Sequence, residues 1–318
     1  MSYRQQEILI ETNENYGRRP PMDFCGAVFR GFAPMLGYSV RMALEGSSSS
    51  VGAPPSWLRK AADVRVTGFA ERAGATILNL EAPLLGEAAQ EIYSQNTLWE
   101  TKPAPNETAV NVLARVLGDV RDANDESAFY DRPLLGRVAR LRHLLAGVVT
   151  SIRLPAAADD QRLSAVVNEQ VVESAVRLWD RTPPSAQIRL TGVLDMIRHS
   201  TRSFGLVLEG GAEVRGVLET QEQMKDLTPF LGAKVLVLGR AVYRPSGKLL
   251  RVDAHSFDSG EGQPQLFGKV PPPREKRPPI IRMKPSDQYR KGVGAFFGIW
   301  PGEESDEDFT RMLKEIRG

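Results

Sequence analysis

The sequence predicts an α+β N-terminal domain, then a small five-stranded β-barrel, then an extended C-terminal tail with a short helix. Three observations predict it. Helical and strand periodicities are mixed up to residue 181, a chain of β segments with internal glycines starts at residue 186, and proline and arginine dominate beyond residue 257.

In the first domain, Val40, Ala43 and Leu44 suit a strand over residues 38–45. The serine run at 47–50 and Pro54-Pro55 then read as an exposed loop. Residues 63–69 and 75–81 form a hairpin around the turn at 71–74. Val110, Leu113, Ala114 and Leu117 recur at helical spacing, which predicts a helix over 107–120. A second helix begins after Asp131 with Pro133 in its first turn, where a missing amide hydrogen costs nothing, and Gly147 ends it. Its apolar face is Leu134, Leu135, Val138, Leu141 and Leu145. Residues 148–154 return to a strand, and Leu163, Val166, Val167, Val171, Ala175 and Leu178 predict a third helix over 161–179. We read residues 1–181 as one domain, closed by Thr182-Pro183-Pro184-Ser185, because proline removes helix donors and biases its predecessor to extended backbone.

Five strands follow: 186–197, 203–208, 213–218, 234–243 and 248–254, with a short helical pattern at 220–231 between the third and fourth. Gly192 and Gly239 fall inside long strands, where a small barrel must bend. In order and spacing, residues 186–257 resemble an OB-fold. The resemblance implies single-stranded nucleic acid stacked on aromatic rings above a positive groove. Arg202, Arg215, Tyr243, Arg244 and Lys248 are the residues that would line it, with Phe204 and Tyr243 offering rings. Two rings are few, and charged side chains on the solvent side of a barrel are ordinary. A scaffold or protein-docking barrel therefore ranks ahead of a nucleic-acid groove.

Composition narrows the chemistry. Forty-one Lys and Arg against 39 Asp and Glu leave a net charge of +2, too slight to mark a nucleic-acid binder by bulk electrostatics. Cys25 is the single cysteine, so no internal disulfide can form, and with three histidines the chain offers few soft ligands for zinc. A reducing cytoplasm fits that inventory. No secretory leader pattern and no membrane-length apolar run is present, so no membrane partner is expected. His199 and His255 lack neighbours that would make an acid/base team, and Cys25 has no nearby histidine in sequence. With no phosphate-cradling glycine loop, metal motif or nucleophile elbow, the expectation is a protein that is not an enzyme and takes no cofactor.

Residues 258–292 carry Pro271-Pro272-Pro273, Pro278-Pro279, Arg274, Lys276, Arg277, Arg282 and Lys284, a composition expected of an extended linker. Residues 293–318 follow as a partner-binding tail. Phe296, Phe297, Ile299 and Trp300 form an apolar patch, Glu303, Glu304, Asp306 and Glu307 form an acidic run, and Phe309, Met312, Leu313 and Ile316 share one helical face. Aromatic anchors beside an amphipathic helix are a recurring means of seating a chain in a partner's groove. The run from Gly298 through Asp308 with the helix after it is similar to the C-terminal toxin-wrapping segments of bacterial antitoxins, especially those paired with PIN-domain ribonucleases. That resemblance implies a toxin-like partner encoded nearby, such as a nuclease, whose active site the tail would cover. Antitoxins of this kind usually carry an N-terminal DNA reader, and residues 1–181 show no helix-turn-helix or ribbon-helix-helix pattern. The first functional expectation is thus a non-catalytic antitoxin or regulator; the alternative is an OB-fold protein that binds single-stranded nucleic acid in another pathway; an enzyme built on the N-terminal domain ranks third.

Overall fold

A computed structural model describes residues 1–49, 52–94, 101–155, 165–262 and 265–273. Met1–Glu275 forms one compact unit. The tail residues Phe296, Phe297, Ile299, Trp300, Glu303, Glu304, Asp306, Phe309, Met312, Leu313 and Ile316 lie outside the described residues, as does most of the linker.

The chain opens on β1 (Tyr3–Thr12), a strand the sequence reading does not include. It alternates cleanly, with Gln6, Ile8 and Ile10 buried and Gln5 and Glu7 exposed. Next comes α1 (Met22–Glu45), which overturns the strand expected at 38–45. Gly26, Gly31, Pro34 and Gly37 interrupt its helical signal. Burial overrides them: Phe24, Val28, Phe32, Met35, Leu36 and Val40 recur at the spacing of one helix face and enter the core. Gly46, at φ 73°, takes the left-handed position that ends the helix.

After α2 (Ser56–Ala61), the expected hairpin is present as β2 (Arg65–Arg72) and β3 (Ala75–Pro83). Two single helical turns, α3 (Leu85–Ala88) and α4 (Gln90–Tyr93), lead toward α5 (Ala109–Arg121). Thr108 and Asn111 form a reciprocal cap at its start. α6 (Arg132–Arg140) begins at Asp131, whose carboxylate accepts from the Leu134 amide, and the apolar run continues in a separate turn, α7 (Arg142–Leu145). β4 (Val149–Arg153) follows. The third helix is shorter than expected. Val166 and Val167 form β5 (Val166–Val167), and α8 (Glu169–Arg181) starts only after the Asn168 cap. The sheet has strand order β2-β3-β1-β4-β5, antiparallel throughout. Ile8 opposite Leu78 and Ile10 opposite Ile152 pack with α1, α5, α6 and α8 into one core.

The second half is a closed barrel, β10-β8-β7-β6-β9. Its strands are β6 (Ala186–Arg198), β7 (Ser203–Leu208), β8 (Glu213–Leu218), β9 (Lys234–Tyr243) and β10 (Leu249–Ser259). The helix α9 (Gln221–Leu227) lies between the third and fourth strands. Antiparallel pairing runs around the barrel except where β8 and β10 close it in parallel. The two expected glycines sit at close backbone approaches: a Cβ on Gly192 would stand 2.6 Å from the Val207 carbonyl oxygen, and one on Gly239 2.6 Å from that of Asp253. β10 runs past residue 257, and a helical turn at Gln265–Gly268 contacts β6, so the linker-like character begins later than residue 258.

Candidate functional site: the barrel surface and its seam

The β9–β10 hairpin carries two kinds of side chain. Alternation sends Ala241, Tyr243, Val252 and Ala254 into the barrel core and sends Val242 and Arg251 outward. Val242 and its neighbour Leu250 end in the core of the N-terminal sheet and helices, so the barrel and the first domain share apolar surface.

Arg251 is at the centre of this seam. Its Nη1 donates to Asp131 Oδ2 at 3.1 Å and to the Gly46 carbonyl at 3.0 Å, while Nε donates to Asp253 Oδ1 at 2.7 Å. Asp131 also accepts from the Ser48 hydroxyl at 2.5 Å and the Ser48 amide at 3.1 Å. One carboxylate therefore caps α6, fixes the serine loop and receives the barrel. Arg251 is fully enclosed; burial opposes its charge, but Asp131 and Asp253 outweigh that and hold its pKa above the ordinary value. The serine loop, which the sequence suggests is exposed, has Ser47 and Ser48 buried here. Beside it lies a cavity of about 370 Å³ reached by Ser47, Ser49, Arg132, Glu219, Arg240 and Asp253.

The five residues expected to line a nucleic-acid groove do not gather on one face. Tyr243 is 2% exposed inside the barrel. Arg244 donates to the Glu126 carbonyl at 2.6 Å, and Lys248 pairs with the Glu126 carboxylate at 2.9 Å, both across the seam. The Ser246 amide adds a bond to the Asp125 carbonyl in the same turn. Arg202, held at φ 49°, donates to the Glu219 carbonyl; nearby, burial raises the pKa of the Glu45 carboxyl against the opposing pull of Arg41 and, less, of Arg202. Arg215 stands on β8 opposite Gly205.

The rings are equally informative. Phe204 is buried and meets Phe257 edge to face at 5.8 Å, and Phe230 and Phe257 pack against the same core as Tyr243. Phe204 and Tyr243 are enclosed, and Phe230 and Phe257 are partly covered by the core they pack against. The exposed apolar residues of the barrel, Val193, Met196 and Leu231, are aliphatic.

Cys25, His199 and His255 are dispersed. Cys25 is half-buried on α1, and burial pushes its thiol pKa up. His255 lies 3.9 Å from Glu219 on the barrel rim, and His199 is in the β6–β7 turn. Among the described residues no group of three His, Cys, Asp or Glu side chains could hold a metal ion, and no helix is long and apolar enough to cross a membrane. The sequence did mark Asp131 as a helix start, but nothing local marked Arg251 as its partner 120 residues away.

Comparison with family models, curated proteins and solved structures finds no match to this chain.

Proposed function

We propose that this chain is a non-catalytic protein-binding component, the antitoxin or regulatory half of a toxin-like pair, which engages its partner through residues 293–318. In this reading the barrel is an internal scaffold of OB type. Its strand order, its parallel closure between β8 and β10 and the helix after β8 support that type. One observation carries the scaffold role: Phe204, Phe230, Tyr243 and Phe257 are packed in or against the barrel's own core, while Arg244 is tied to the Glu126 carbonyl and Lys248, though exposed, faces the Glu126 carboxylate. Base stacking requires exposed ring faces, and phosphate contact requires cations that are not already paired. The tail carries the other half through Trp300, the aromatic patch around it and the apolar helical face of Phe309, Met312, Leu313 and Ile316. Single-stranded nucleic-acid binding is the rival, with Arg215 on β8 among the residues it would use.

Affinity co-purification from the native host tests the reading with three forms: the full chain, Trp300→Ala, and a chain ended after residue 292. The full chain should retain one stoichiometric protein partner that both altered forms lose. Loss of a buried tryptophan anchor costs on the order of 2–4 kcal/mol, or about 30-fold to nearly 1000-fold in affinity. Equal retention by all three forms, or recovery of nuclease-sensitive nucleic acid in place of a protein, would overturn it.

A further inference from the structure

A second cavity, also of about 370 Å³, lies between α1 and the α6–α7 segment on the N-terminal domain. Its apolar wall includes Met35, Leu141 and Leu144. Its polar groups are Arg30, Arg137, Arg140 and His143, and among the described residues no acidic side chain lines it. Sequence alone explains the charge imbalance: residues 24–44 and 132–158 contain no Asp or Glu. Asp23, one turn before Ala27 on α1, makes no ion pair with any of the four.

Helix C-terminal dipoles favour Arg137 and Arg140 in the last turn of α6. That does not account for Arg30, which comes from the facing helix. Arg137 is positioned by Tyr38: Nη2 donates to the hydroxyl at 2.6 Å, and the guanidinium stacks 3.7 Å from the ring centroid. This leaves its other donors available. Gly31 lets the helices close beneath the cavity, since a Cβ there would meet Leu141 at 3.3 Å. Pro34 lacks an amide hydrogen, so the Arg30 carbonyl has no ordinary helical donor at that turn.

We propose that this cavity binds a small phosphate monoester carrying an apolar body. Three guanidinium groups and an imidazole without a carboxylate suit a dianion better than a single carboxylate, because guanidinium forks match phosphate oxygens. The apolar wall takes the ester group, as in small-molecule sites where few polar groups fix orientation. The proposal is independent of the tail and of the barrel.

Phenyl phosphate is the probe, followed on the full chain by the methionine methyl resonances, Met35 among them. It should produce saturable shifts at submillimolar concentration. Benzoate and inorganic phosphate should each bind at least about tenfold more weakly, and phenol should not bind. Arg30→Gln with Arg140→Gln, both exposed positions, should weaken phenyl phosphate by at least about tenfold without moving the thermal midpoint. Absence of a saturable shift at millimolar probe, equal binding of benzoate or phenol, or unchanged affinity in the double variant would overturn the proposal.

Discussion

Asp131 performs three tasks with one carboxylate, and its replacement separates them. Asp131→Ala uncaps α6, releases Ser48 and leaves Arg251 buried with Asp253 as its remaining carboxylate. Breaking a buried pair from one side costs about 3–5 kcal/mol, so chemical denaturation should show a loss of that order. Adding Arg251→Met to Asp131→Ala should recover part of it, because no buried cation is then stranded. A double variant no more stable than Asp131→Ala would mean that the cap and the serine loop carry the whole effect. Gly216 gives a second case. A Cβ there would stand 2.0 Å from the Phe204 ring, so Gly216→Ala must displace a buried aromatic side chain. A loss of about 1–3 kcal/mol is expected, read as a lower denaturation midpoint. At this scale the sequence was informative for caps and turns: Asp131 before Pro133 marked the start of α6 because capping is local chemistry. The partners of Asp131 were not legible, since Arg251 reaches it only through the folded seam.

The elements divide by how locally they are specified. All five barrel strands were legible because each is a short β segment set off by glycine, proline or polar residues, and the closed barrel has the expected number of strands with α9 in the expected gap. α1 was not legible, because three glycines and a proline weaken its local preference while tertiary burial supplies the stability. β1 was missed although it alternates; its polar Gln5, Gln6, Glu7 and Glu11 dilute the apolar signal, and the pairing that defines it comes from β3 and β4. The β9–β10 tip is where the elements interlock. Leu250→Asp would place a carboxylate in the apolar core of the other domain. It should lower stability by about 3 kcal/mol or more and raise the protease sensitivity of the seam. A variant as stable as the parent would remove Leu250 from the interface.

For the molecule as a whole, function depends on whether the barrel is a scaffold or a groove. The strand pattern revealed the barrel, but it did not reveal which way Phe204, Phe257 and Tyr243 face or that Arg244 and Lys248 are drawn to Glu126. Those placements follow from side-chain parity along each strand and from docking against a second domain, neither of which composition records. With Phe204 and Tyr243 turned inward and Phe230 and Phe257 packed against the same core, few rings remain for stacking, and binding through phosphates alone would fall steeply with added salt. The most direct measurement is fluorescence anisotropy of a labelled 20-nucleotide poly-dT strand titrated with the full chain at about 50 mM and 200 mM salt. A scaffold barrel predicts at most weak binding at the lower salt, with a Kd above about 100 μM at the higher, as for nonspecific contact. Submicromolar binding that persists at 200 mM salt and is lost in Arg215→Ala would contradict the account and make the barrel the functional site.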